Sequence, residues 1–112
     1  MRNQILYVRD ILESVYLIES FVEGMDYNEF LDDPKTQSAV IRQFEIIGEA
    51  VKKLDTSITN NYPEIDWSAV AGMRDLLIHH YFGVDLEIVW QSLLVDLPRF
   101  KETMRAIEKE LS

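Results

Sequence analysis

Apolar residues recur at helical spacing almost from the first residue. Ile5, Val8, Leu12, Val15, Ile18 and Val22 fall every three or four positions, which predicts one face of a helix. Gly24 is placed to end it in the left-handed conformation. A short helical turn over 27–31 follows. In "DDPK", Asp33 is a cap and Pro34 suits the first helical position. The second long helix is expected from Pro34 to Leu54, with Val40, Phe44, Ile47, Val51 and Leu54 inward. "DTSITNNYPEID" is rich in polar turn formers and predicts an irregular stretch with at most one helical turn. Asp66 caps a third helix, expected from Trp67 to about Phe82 and stopped by Gly83.

Asp85 caps the last segment, where Leu86, Trp90, Leu93, Leu97, Phe100, Met104, Ile107 and Leu111 alternate steps of four and three. The stripe keeps phase across Pro98, so one continuous helix with a kink near Leu94 is expected, since proline lacks an N–H and clashes with the carbonyl four residues back. The alternative is a break at which Asp96 caps a new helix. No strand, repeat or linker is predicted. Residues 1–112 read as a single domain, an all-α antiparallel bundle of four to five helices. Trp90, Tyr16 and the long last stripe exceed what one chain of this size is expected to cover, so a homodimer is expected.

Composition narrows the function. The chain has 112 residues, a formal net charge of −9 and no cysteine. Disulfides, thiolate metal sites and cysteine nucleophiles are excluded. No apolar run approaches the ~20 residues of a membrane span, and the charged "MRNQILYVRD" does not read as a signal peptide, so a cytoplasmic protein is expected. The negative charge disfavours broad nucleic-acid binding, which needs lysine and arginine for phosphate contacts, but leaves room for a local basic site or a basic partner.

The candidate chemistry lies in "GMRDLLIHHY", residues 72–81, which holds both histidines of the chain. Leu76, Leu77 and Ile78 suit a core. The plain reading makes Arg74 a surface cation and His79 and His80 dipole partners at a helix end. The chemical reading uses arginine to stabilise charge on a phosphate and histidine to move protons, which together suffice for RNA cleavage without a metal or cofactor. The 2′-hydroxyl of RNA would be the nucleophile. At about 100° per residue Arg74 and Tyr81 lie ~20° apart, whereas His79 is ~140° from Arg74. A lone regular helix does not join Arg74 to His79. Either a distorted last turn or a second copy of the helix in a two-fold dimer must. No carboxylate-and-histidine cluster has metal-ligand spacing.

A second group lies on the second long helix. Arg42, Glu45 and Glu49 share a face, and Gly48 beside them permits close approach of another helix. Two ionised glutamates four apart repel, and an arriving arginine such as Arg74 would relieve that. The alternative is a solvated face with an Arg42–Glu45 pair.

"RDLLIHHY" matches the Arg-x4-His-x-Tyr signature of the HEPN superfamily, and the chain resembles its HepT-like branch. "FVEGMDYNEFLDDPKTQSAVIRQFEIIGEAVKKL", "YPEIDWSAVAGMRD" and "HHYFGVDLEIVW" carry the likeness over essentially the whole chain. The resemblance implies a dimerising bundle with Arg74 and His79 of both subunits in one cleft. It implies a metal-independent toxin ribonuclease acting on tRNA or mRNA, paired with a minimal nucleotidyltransferase (MNT-type) antitoxin that transfers AMP to Tyr81. Arg74 would stabilise the phosphoryl transition state and His79 would be the acid or base. Asp75 stands where the family carries a polar residue, often asparagine, and adds a negative charge. His80 fills a variable position. Two other readings remain. The domain could be a non-catalytic subunit that holds a nucleotide or a nucleotidyltransferase. Or Arg74 could serve stability alone, bridging to Glu45 or Glu49, a buried pairing whose loss costs ~3–5 kcal/mol.

Overall fold

The computed structural model describes residues 3–79 and 85–112, with side chains omitted for 74–79. Its elements are α1 (Gln4–Phe21), α2 (Tyr27–Leu31), α3 (Pro34–Val51), α4 (Thr56–Thr59), α5 (Trp67–His79), α6 (Leu86–Gln91), a π-helical turn (Ser92–Asp96) and α7 (Leu97–Leu111). No strand occurs among the described residues. The chain is an all-helical bundle in which α3 packs between α1 and α5, and α1 packs in turn on α7.

Local chemistry sets the helix starts. The carboxylates of Asp26, Asp33, Asp66 and Asp85 each accept from a backbone N–H in the first turn of α2, α3, α5 and α6. Such caps satisfy amides that a helix start leaves without partners. Asp26 and Glu29 form a reciprocal capping box. Pro34 occupies the first turn of α3, and Gly24 takes φ +73°, which a side chain would strain. At Asp33, bonds from the Thr36 hydroxyl and amide hold the carboxyl below its usual range. Its folded value lies below the unfolded one. The cap therefore contributes fully above the ordinary carboxylate pKa and is lost as pH falls through the lowered value. Asp33→Ala should flatten the acid limb of a Tm-against-pH curve. Asp33→Asn, whose side-chain amide oxygen still caps, should keep neutral-pH stability near the parent's.

The core runs the length of the bundle. Val8, Ile11, Val15 and Ile18 of α1 meet Val40, Phe44 and Ile47 of α3, and Met104 and Ile107 of α7, all buried. The expected stripe of the second long helix is buried throughout, although α3 itself ends at Val51 and Leu54 enters the core from the turn beyond. Polar side chains then fix the ends. The Gln4 side-chain amide accepts from the Asp55 N–H at 2.8 Å and donates to the Lys53 carbonyl at 3.1 Å, clamping the start of α1 to the end of α3. Gln4→Ala should lower stability by about 1 kcal/mol, a few degrees in Tm, because both backbone groups are left to solvent. Thermal melts of the two proteins check this.

Two expectations about the last segment resolve differently. The helix is continuous across Pro98, and Asp96 makes no side-chain cap there. The distortion is a π-helical turn, in which the Leu97 N–H reaches back to the Ser92 carbonyl. Widening the turn accommodates the proline, which cannot donate to the ladder. The second expectation, that Trp90, Tyr16 and the last stripe together exceed what one chain covers, divides between its residues. Trp90 is only 7% exposed, stacked at 5.1 Å from Phe30 and 6.1 Å from Tyr27. Helix α2, a mere five residues, supplies both rings. Tyr16 does stay open, at 46%, with the Lys101 ammonium 5.3 Å above its ring.

Candidate functional site

Arg74, Asp75 and His79 all lie on α5, which runs unbroken from Trp67 to His79. Its N-terminal half is anchored. Asp66 caps it, the Trp67 indole N–H donates to the Tyr62 carbonyl at 3.0 Å, and the Trp67 ring meets Phe100 edge-on. Tyr62 is held in turn by its hydroxyl, which donates to the Glu110 carboxylate; that bond pushes the phenol pKa up. Val70, Ala71 and Met73 pack on the core one turn before Arg74. With helical geometry kept through His79, Arg74 and His79 are separated by about 7.5 Å along the axis and ~140° around it. His80 and Tyr81, and the stops expected at Phe82 and Gly83, lie outside the described residues.

The α3 group is brought together. Arg42, Glu45 and Glu49 line a cavity of about 630 Å³ between α3 and α1. The Arg42 guanidinium lies 3.5 Å from Glu45, which is 16% exposed against 69% for the arginine. The Arg42–Glu45 pair exists as one expectation has it, yet Glu45 turns into a groove and the face is not freely solvated. Gly48 beside it is buried.

The opposite wall comes from α1, and the sequence reading does not anticipate it. Tyr7, Asp10, Glu13 and Ser14 face the same cavity. Ser14 is a buried polar residue within α1. The signal is present as Tyr7, Asp10, Ser14 and Leu17, a second stripe at steps of three, four and three, beside the apolar one. Among the described residues four carboxylates and two cations, Arg42 and Lys53, line this space. Its acidity suits a basic group and opposes an approaching phosphate. Among the described residues no group of three potential ligands is placed to hold a metal ion, and no helix is long and apolar enough to cross a membrane.

An all-helical bundle whose third long helix carries an Arg-x4-His pair defines a class of small helical proteins. Within that class, residues 11–107 match the family model described as Ribonuclease HepT-like. A Methanocaldococcus jannaschii protein bearing a provisional RNase name is 44% identical over 94% of this chain and 87% of its own. A Thermococcus cleftensis protein, provisionally named ribonuclease HepT, is 45% identical over 92% of this chain and 94% of its own. A Caldanaerobacter subterraneus relative with a provisional RNase name is 37% identical, with 90% of each chain covered. The chain belongs to the HepT-like ribonuclease family. No solved structure matches it.

Proposed function

We propose that this protein is a metal-independent endoribonuclease, the toxin of a toxin–antitoxin pair, working in the cytoplasm as a homodimer. The observation that carries the reading is Arg74, His79 and Tyr81 at the spacing of the motif, in a chain that belongs to a ribonuclease family along most of its length. The 2′-hydroxyl of the RNA attacks the adjacent phosphorus, and the bond to the 5′-oxygen breaks, leaving a 2′,3′-cyclic phosphate. His79 takes the proton from the 2′-oxygen or gives one to the departing 5′-oxygen, and water exchanges the other proton. Arg74 neutralises charge on the phosphoryl oxygens. The helical separation of the two residues is the reason for the dimer, since a symmetric cleft lets Arg74 of one subunit serve with His79 of the other. Asp75 and His80 flank the pair in sequence.

A nucleotidyltransferase antitoxin silences the enzyme, and AMP transfer to the Tyr81 hydroxyl would place a bulky phosphate beside the catalytic pair. The test is incubation of purified, unmodified protein with tRNA and with mRNA in EDTA. Cleavage with cyclic-phosphate ends is expected. Intact RNA in both incubations, with the bundle folded, would favour a second reading, a non-catalytic subunit that holds a nucleotidyltransferase. The acidic lining of the α1–α3 cavity supports that alternative, because it suits a basic protein surface better than RNA.

A further inference from the structure

A second cavity, of about 410 Å³, opens between α3, α5 and the π-helical turn. Its floor is apolar, built from Phe44, Ile47, Val70, Met73, Leu97 and Phe100. Among the described residues its mouth carries three carboxylates, Glu64, Asp66 and Asp96, and one cation, Arg99. The wall formed by Ser92 and Asp96 is the π-helical turn itself.

The apolar surface continues outside. Ile88 is 64% exposed and Val95 53%, while Leu94, 57% exposed, lies on another side of the helix. Ile88 precedes Ser92 by four positions and Val95 precedes Arg99 by four, so both adjoin the cavity wall on the same helical surface. From Ile88 to Arg99 the strip is about 16 Å long at 1.5 Å per residue. A small molecule fills the cavity but leaves this strip bare. Three turns of helix cover both, with one or two apolar side chains seated in the hollow.

Charge selects the occupant. A second copy apposed through this face would bring two mouths together, each with three carboxylates and one cation among the described residues, in a chain of net charge −9. A nucleic acid meets the same repulsion. A segment with lysine or arginine beside its apolar anchors meets opposite charge at the rim. We propose that this groove docks a basic amphipathic helix of a partner protein.

The test is fluorescence anisotropy of the full chain with a labelled Leu/Lys amphipathic helical peptide of about 18 residues, beside its Leu/Glu counterpart. The Leu/Lys peptide should bind and the Leu/Glu peptide should not. Ala69→Trp, which fills the mouth from an exposed position, should weaken binding about tenfold or more, and so should Asp96→Lys combined with Glu64→Lys. RNA cleavage should be unchanged in all of them. Equal binding of both peptides, binding unaffected by Ala69→Trp, or no binding of either peptide would overturn the proposal. So would sedimentation showing that Val95→Asp converts a dimer to monomers, because the strip would then be covered by a second copy.

Discussion

His79→Ala should reduce RNA cleavage by about 10²–10⁴-fold, the usual contribution of a positioned general acid or base. The protein should stay helical, since removing one side chain at the end of α5 leaves the buried residues of α1, α3 and α7 in place. Arg74→Ala should lose cleavage as well, through unneutralised phosphoryl charge. Mixing the two inactive variants is the sharper experiment. In a cleft shared across a two-fold axis, a heterodimer of Arg74→Ala with His79→Ala keeps one Arg74 opposite one His79. If subunits exchange freely and the two sites act independently, about a quarter of the parental rate should return. A mixture as inactive as its components would mean that each site is built within one subunit, and α5 would then have to depart from regular geometry near His79. Variants that cut as fast as the parent would remove these residues from the mechanism altogether. If instead Arg74→Ala chiefly lowers Tm, the arginine is a strut, as the stability reading has it.

The largest effect on folding is expected at Phe30. This ring is fully buried and packs against Trp90, so Phe30→Ala should cost about 3–5 kcal/mol. That is a large share of the ~5–15 kcal/mol that holds a typical domain together. Urea unfolding should show a lower midpoint with little change in slope. The control is Leu94→Ala, at an exposed position in the π-helical turn, where a change within about 0.5 kcal/mol is expected. A small effect at Phe30 would mean that Trp90 repacks without α2, and that the five-residue helix is dispensable as a lid.

Phe30 also shows where reading the chain alone stops. The caps at Asp33, Asp66 and Asp85 are legible because a cap is a local device, completed within three residues. The stripe through Pro98 is legible because periodicity survives a widened turn. The form of that distortion is not, since a kink, a break and a π-helical turn share one pattern. The cover of Trp90 is not legible in the sequence because it comes from Tyr27 and Phe30, some sixty positions earlier, on an element too short to have a periodicity. In the same way the Arg42–Glu45 pair is readable as an i, i+3 spacing, while the wall that Asp10 and Glu13 set opposite it is not. The motif on α5 stands apart from these. Its residues are named from their spacing, and the geometry of α5 adds a reason why they would need a partner chain.

The ion pairs between the first and last long helices bear on how the chain comes to be folded. Lys101 meets Glu19 across 82 positions, and Arg9 meets Glu108 across a still longer span. The apolar face of α1, with Val8, Ile11 and Val15, is therefore completed by α7, some ninety positions further along the chain. During translation, α1 and α3 can associate early, but the side of α1 that receives Met104 and Ile107 stays open until α7 has left the ribosome. Closing so long a loop is slow relative to forming the helices themselves. Until α7 emerges the nascent chain is an incomplete bundle with a greasy seam, the stage at which chaperone capture or mispairing with a neighbouring chain competes with folding.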